Sequence, residues 1–576
     1  MKRVAVFGGG MGGLCAAHEL VERGFEVDVY ESRKHWGGKA RSFPVHHTGT
    51  EGREDLPGEH GFRFFPGFYK HVPDSMSRIP FPQAGPQGRV IDNLVQCSAG
   101  QILQKEQPPT TFPVRFPQSW AELRARIADL REHGPLGFKA GELRYFLGRM
   151  LRIAVSCRQR RLEQYEKIAW WEFVGADERS EAYQKMLARG LTRSLVAMRA
   201  EVASTRTVGD IMLQMAYYVL TPGASSDRLL NGPTSKVWIE PWRDHLSTLG
   251  VRFHAQTALQ SFEMGQGQML AGATVRSKDG TTQAVQADYY VAAFPCEVMA
   301  RHVQGALAAA APSLRNLSRL QVAWMNGVQF YLSRDVPMTR GHSIFMDGNW
   351  ALTAVSQTQF WRDGNFPIEK FGDGKVKGLL SVDISDWTDA GQYTTTAPAS
   401  HCSREAIVDE VWAQLEHHLL DADGNRLSRD ILLRAHLDHD IECPTPEMNA
   451  ARRKQIGESR GVLPVGHFDG DGDEDIDTEP LLINTGGSWA DRPQAATEIG
   501  NLFLASDYVQ THTDLATMEG ANEAGRRAVN AILQASGSSA TPCKVWPLHE
   551  PWLLAPLRAI DWLVYQFQRK APPAAG

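Results

Sequence analysis

Three glycines and one carboxylate set the first chemical expectation. Gly8, Gly10 and Gly13 stand at G-x-G-x-x-G spacing after the apolar run 4–7, and a helical pattern of apolar residues starts at Leu14. A strand, a glycine turn and a helix N-terminus in that order can hold a pyrophosphate. Gly8 permits the tight turn, Gly10 lets the main chain approach the phosphates with Met11 and Gly12 beside it as further cofactor contacts, and Gly13 lets helix and strand pack closely. A second strand pattern, 26–30, ends at Glu31 with Ser32 beside it, 18 residues beyond Gly13. A carboxylate there can accept both hydroxyls of an adenosine ribose, and it disfavours a 2′-phosphate, so NADP is the dinucleotide least expected.

The next stretch separates a flavin from a nicotinamide dinucleotide. Gly37 and Gly38 are followed by Lys39 and Arg41. A strand ending in Glu, a short loop and then G-G-[KR]-x-x-[ST] resembles the flavin-containing amine oxidase and phytoene desaturase superfamily. The resemblance implies FAD, with Gly37, Gly38, Lys39 and Arg41 approaching its ribityl and phosphate groups; the residues alone leave Lys39 and Arg41 open to a reading as solvated loop charges. Residues 58–69 resemble the E-x-G-x-H-x-F-F-G-x-Y stretch of plant-type carotenoid desaturases, which implies that Gly61, Phe62 and Arg63 lie near the flavin ring. Arg63 stands where those enzymes usually carry His, and His60 directly follows Glu59. An aromatic loop that only packs is the alternative reading.

Near the other end, an apolar strand pattern closes on Asp507, and Thr517 opens a long helix with Met518 and Ala521 in its first turns. This resembles the N-L-F-L-A-G-D … M-E-G-A-x-x-S-G pattern of the same superfamily. By that resemblance Asp507 lies by the pyrophosphate and ribityl hydroxyls. The helix start faces the flavin pyrimidine edge, where a helix N-terminus stabilises the negative charge of a reduced ring. Glu519 would oppose that charge and is assigned to helix capping or a ribose or backbone contact. Residues 230–238 and 289–295 echo further desaturase stretches, and Leu259 falls where the family places an apolar residue against the adenine.

Tyr508, His512 and Asp514, together with Arg63, are the candidates for catalysis or substrate orientation, because the turn between Asp507 and the helix is expected to pass the flavin. His512 titrates near neutral pH and can serve as acid or base; the alternative is that His512 and Asp514 cap the following helix.

These residues require a positioning scaffold. A chain of 576 residues exceeds what one hydrophobic core supports. The expected fold is α/β: a discontinuous Rossmann-like FAD-binding domain of the glutathione-reductase type from residues 1–80, 230–300 and 480–535, and an α+β substrate domain with mixed sheet and helices from 81–229 and 301–479. Residues 536–576 read as a linker and an apolar C-terminal segment. Apolar residues at 42%, charged residues at 22% and a net charge of -5 give no reason to expect nucleic acid. Seven scattered cysteines without C-x-x-C, and no histidine cluster at zinc spacing, read as reduced thiols and no metal. The acidic run 469–475 fails the calcium-loop pattern, because Glu474 and Pro480 stand where glycine and glutamate are needed.

No signal-peptide core fits before residue 4, so the expected location is the cytoplasm, and no apolar run is long enough to span a bilayer. Peripheral membrane contact stays open at two places. Residues 141–162 form a basic amphipathic pattern that reads as bilayer-facing or as a core-facing helix with a solvated basic face. Residues 551–567 are apolar and aromatic, reading as an interfacial anchor or a helix packed on the protein. The expected reaction is desaturation or dehydrogenation of a hydrophobic lipid, polyene or isoprenoid-like substrate by hydride transfer to flavin N5. With no second dinucleotide fingerprint, electrons are expected to pass to oxygen or a quinone. Amine oxidation and redox-neutral double-bond isomerisation are the alternatives within the superfamily.

Overall fold

Val4, Ala5, Val6 and Phe7 are apolar in succession rather than in alternation, which suits a strand covered on both faces. In the computed structural model they form β1 (Arg3–Phe7), the centre of a five-stranded parallel sheet. The structure describes the chain except for residues 62, 113, 115–138, 140, 191, 194–197, 222–226, 337, 363, 420–426, 443–475, 478 and 571–576. Phe62, Cys443 and the acidic run 469–475 therefore lie outside the described residues. With β2 (Glu26–Tyr30), β3 (Arg252–His254), β4 (Tyr289–Ala292) and β5 (Leu502–Leu504), the sheet order is β5-β4-β1-β2-β3. Three stretches far apart in sequence thus complete one sheet.

Asp28 on β2 ties its neighbours together. Its carboxylate lies 2.9 Å from Arg3 Nε on β1, and 2.7 Å from Arg252 Nη2 and 2.9 Å from His254 Nε2 on β3. Burial alone would raise its pKa, but the bonds from Arg252, His254 and Arg3 hold it well below the usual carboxylate range.

Six helices matter for the site: α1 (Met11–Val21), α2 (His71–Arg78), α3 (Glu142–Val155), α4 (Thr205–Leu220), α5 (Met518–Ser536) and α6 (Ala555–Lys570). Ser204 and Thr517 cap α4 and α5, their hydroxyl oxygens accepting from the N–H groups of Thr207 and Gly520. Glu519, buried in the first turn of α5, accepts from the main-chain N–H groups of Lys70, His71 and Val72 at 2.6–2.9 Å and pairs with His71 Nδ1 at 2.8 Å. It is therefore the cap of α2, a neighbouring helix.

A second, seven-stranded mixed sheet has the order 432–437, 326–332, 378–384, 352–356, 343–345, 100–103, 110–112. Its central strands Asn326–Leu332 and Gly378–Ile384 are buried at every position, and Trp412 of the helix Arg404–His418 packs against Phe330 with tilted rings whose centroids lie 5.1 Å apart. The six described cysteines are free thiols. Among the described residues no helix is long and apolar enough to cross a membrane.

The tightest joint of the fold lies between α1 and the C-terminal elements. A Cβ added at Gly12 would sit 1.7 Å from the carbonyl oxygen of Ala505, just past β5, and one at Gly525 on α5 would sit 2.8 Å from the carbonyl oxygen of Gly12. Both obstacles are backbone and cannot rotate away. We expect Gly12→Ala to destabilise the protein by about 3 kcal/mol in chemical denaturation. Gly24→Ala, whose Cβ meets nothing within 4 Å, carries only the strain of its left-handed conformation (φ 81°), about 1 kcal/mol.

Candidate functional site

Where the parallel strands β1, β2 and β4 end and α1 and α5 begin, the structure encloses a cavity of about 480 Å³. Around the end of β2 it is lined by Glu31, Ser32, Thr257, Ala258 and Leu259; around the glycine turn, by Gly8, Gly10, Met11, Gly12, Gly37, Gly38 and Lys39; around the end of β5, by Ser506 and Asp507. Thr517, Met518 and Ala521 line it at the start of α5, and Gly61 and Arg63 also form part of the wall.

Two helix N-termini converge here. Gly10 caps α1 with extended backbone and no side-chain hydrogen bond, so the first-turn N–H groups remain for a ligand. At α5, Thr517 occupies only the N–H of Gly520. Gly10 faces Gly38, where an added Cβ would lie 3.7 Å from Gly38 Cα, and Gly37 adopts a left-handed conformation (φ 103°). Two bare backbones flanking a helix N-terminus fit a pyrophosphate. Glu31 is already aimed: its oxygens accept from Gly9 N at 2.7 Å, Arg33 N at 2.9 Å and Ser32 Oγ at 3.0 Å. The donor set and the acid at the far end of β2 together fit a dinucleotide.

Gly13 lies beneath the turn rather than on the cavity wall. A Cβ there would come within 1.9 Å of the Gly8 carbonyl, which is the close strand-to-helix packing expected of the third glycine.

The basic residues divide. Lys39 lines the cavity and donates to the Pro480 carbonyl; burial alone would lower its pKa, but the Glu297, Asp507 and Glu479 carboxylates raise it, so it is a half-buried cation. Arg63 also lines the cavity and donates to the carbonyls of Lys39 at 2.8 Å and Ala40 at 3.3 Å, fastening the second glycine loop from below. Burial pushes the Arg63 pKa down. Arg41 does not line the cavity. It pairs instead with Asp440 at 2.9 Å and Glu479 at 2.8 Å.

Those acids belong to a buried ionic network that also takes in Arg33 and His60. His60, on the cavity wall, has Nδ1 2.5 Å from Asp438 and 3.8 Å from Asp440. Burial opposes its charge, yet Asp438 beside it pushes its pKa up to about 10. His60, Asp438 and Asp440 are close enough to share a metal ion, but Arg41 and Arg33 hold Asp440 at 2.9 and 3.1 Å, and a cation there would meet two guanidinium groups and an imidazolium. Cys97, Asp227 and His342 form another compact set outside the cavity wall, with His342 Nδ1 2.5 Å from Asp227.

The structure does not bring Tyr508, His512 and Asp514 to the cavity wall. Tyr508 is fully buried, and burial pushes its phenol pKa well up. The His512 main-chain N–H donates to Glu523 at 2.6 Å and that of Thr513 to the same carboxylate at 3.1 Å. Asp514, in a left-handed conformation (φ 47°), is gripped by Arg492 and Arg206 at 2.5 Å each and by Thr207 Oγ1 at 2.7 Å. These bonds draw the turn away from the cavity and against α4 and α5. Residues that sequence reasoning did not single out take its place: Ile211 and Met215 from α4, Trp324 and Met325, Glu297 and Val298, and Leu481 to Ile483. Each comes from a segment with no motif of its own.

Comparison with known proteins follows the same division of the chain. A model of the NAD(P)-binding Rossmann-like domain matches residues 6–79, and a model of flavin containing amine oxidoreductase matches residues 479–533. A probable zeta-carotene desaturase of Synechococcus elongatus is 23% identical over 563 residues, covering 93% of this chain and 100% of its own. A carotenoid phi-ring synthase of Streptomyces griseus is 24% identical, covering 93% of this chain and 88% of its own. The solved structure of cyclohexylamine oxidase from Brevibacterium oxydans superposes with a TM-score of 0.55 at 11% identity, over 93% of this chain and 99% of its own, a likeness of fold. The paired family matches and these relatives support the flavin amine oxidase/phytoene desaturase-like superfamily and indicate a flavin-dependent oxidoreductase.

Proposed function

We propose that the chain binds FAD and dehydrogenates a hydrophobic, polyene-like small molecule, passing the electrons to oxygen or a quinone in the cytoplasm at a membrane surface. The observation that carries the substrate class is the cavity wall facing the second lobe. Ile211, Met215, Trp324, Met325, Leu482 and Ile483 line it with apolar side chains from separate segments. Such a wall favours an uncharged chain over an ammonium group. Relatives named as carotenoid desaturases across more than nine-tenths of the chain support the same reading.

In this proposal residues 1–80, 230–300 and 480–535 form the cofactor domain and residues 81–229 and 301–479 the substrate domain. Glu31 and Ser32 receive the adenosine ribose and Leu259 the adenine. Gly8, Gly10, Met11, Gly12, Gly37, Gly38 and Asp507 surround the pyrophosphate and ribityl chain, with Lys39 supplying a cation. Thr517, Met518 and Ala521 present the α5 N-terminus to the pyrimidine edge, and Gly61 leaves room beside the ring. Bound flavin supplies the hydride acceptor. Arg63 faces the reacting region and orients the second glycine loop. Arg41, Tyr508, His512 and Asp514 act as positioning residues behind the wall, the last three by holding the start of α5.

Anaerobic mixing of the FAD-loaded protein with candidate substrates tests the reaction: polyenes should bleach the flavin and amines should leave it oxidised. Bleaching by amines alone overturns the substrate class, and product without net bleaching indicates isomerisation. Arg63→Ala removes two hydrogen bonds to the glycine loop, and FAD affinity read by visible absorbance should fall about tenfold, roughly 1.4 kcal/mol. For His60 the folded pKa of about 10 lies above the unfolded value, about 6.5. Its pairing with Asp438 therefore stabilises the fold fully below pH ~6.5, and the contribution is lost as pH rises through about 10. Chemical denaturation across that range should show stability falling with pH, and His60→Asn should flatten the slope.

A further inference from the structure

Helix α6 packs inside out. Its inward stripe is polar: Asp561 accepts from Arg160 Nε at 3.1 Å and from the Cys157 main-chain N–H at 2.8 Å, the Tyr565 hydroxyl donates to Glu163 at 3.1 Å, and Arg558 donates to the Ala154 carbonyl at 3.3 Å. Its outward stripe is apolar. Leu557, Ile560, Leu563 and Phe567 are 47, 58, 52 and 76% exposed, and Trp552 just before the helix is 79% exposed. A helix that only covers a protein core buries its apolar stripe and wets the polar one. Here the order is reversed, and the polar stripe is held by specific bonds.

The helix does not stand alone. It lies against α3, where Leu143, Leu147 and Leu151 recur every four residues on one face at 43, 58 and 57% exposure. The unpaired charges on these helices have one sign. Each carboxylate on α3, on the short helix Arg158–Glu163 and on α6 is engaged: Glu142 accepts from Ser180 and Lys139, Glu163 pairs with Arg569, and Asp561 with Arg160. Arg144, Arg152 and Arg158 are exposed and have no ion-pair partner among the described residues.

We propose that α6 and the leucine row of α3 form a docking face for an anionic lipid leaflet. The apolar stripes enter the acyl boundary, and the three arginines meet the lipid phosphates. The proposal deepens the membrane contact put forward above and is independent of which substrate is oxidised. It also gives the cavity a route of supply. Ile153 of α3 packs on Gly209 of α4, and α4 presents Ile211 and Met215 to the cavity, so a single helix separates the docking face from the apolar wall.

The test is co-sedimentation of the full-length, FAD-loaded protein with phosphatidylcholine vesicles, with and without phosphatidylglycerol, at low and high salt. The protein should bind the phosphatidylglycerol vesicles, less strongly at high salt, with a blue shift of tryptophan emission from Trp552 and Trp562. The double variant Ile560→Asp/Phe567→Asp should bind at least about tenfold more weakly, and each of Arg144→Gln, Arg152→Gln and Arg158→Gln roughly fivefold. Flavin absorbance and turnover of detergent-dispersed substrate should stay at the unmodified level in all of them, which separates docking from folding. The proposal is overturned if the unmodified protein ignores both vesicle types, if the double variant binds as well as the parent, or if the parent is a dimer that the double variant dissociates. Vesicle binding with no polyene oxidation supports the docking face and counts against the substrate reading alone.

Discussion

The contact between two backbones, Gly12 on α1 against Ala505 and Gly525, is the constraint on which the rest depends. It brings α1, near the start of the chain, into backbone contact with α5, five hundred residues on. The same approach places the N-termini of α1 and α5 on a common cavity, where each supplies unpaired N–H groups and the positive end of its dipole. A side chain at either glycine would move one helix relative to the other, and with it one end of the anion site. The cofactor cradle and the packing of the parallel sheet are thus one arrangement.

A second constraint is electrostatic. Arg33, Arg41 and His60 meet Asp438, Asp440 and Glu479 in a buried network that joins the glycine-rich loops to the strand Leu432–Leu437 and its continuation. Buried ion pairs return little net stability, because desolvation offsets most of the attraction. Their geometric demand is strict, however. Moving the lobes apart would strand several charges at once, so the network selects one relative position of the cofactor loops and the cavity wall. Glu519 acts similarly on a smaller scale, holding three N–H groups of α2 from the first turn of α5.

The turn 508–514 shows how a plausible sequence reading and the folded site diverge. It lies between a cavity-facing aspartate and a cavity-facing helix, and it carries Tyr, His and Asp, the residue types that catalysis uses. Yet Asp514 finds two arginines and a threonine behind the wall, and Glu523 takes the His512 and Thr513 N–H groups. Those partners lie on α4, on α5 and in the segment at Arg492, and no local pattern links them. Three strong charged interactions outweigh the short path along the cavity that the sequence suggests.

Residue spacing by itself determined the local machinery. The glycine turn after β1, Glu31 at the end of β2, the paired Gly37 and Gly38, and the α5 start at Thr517 are each written within a few residues, because backbone conformation and helix capping are short-range effects. The parallel sheet was legible for the same reason, through the unbroken apolar runs of β1 and β4. What only the tertiary structure decided is which side chains complete the wall and which charges face it. Ile211, Met215, Trp324 and Met325 carry no signature, Arg41 leaves the cavity for Asp440, and α6 turns its apolar stripe outward. Those outcomes depend on partners hundreds of residues away, and burial and charge pairing are settled only when the distant segments meet.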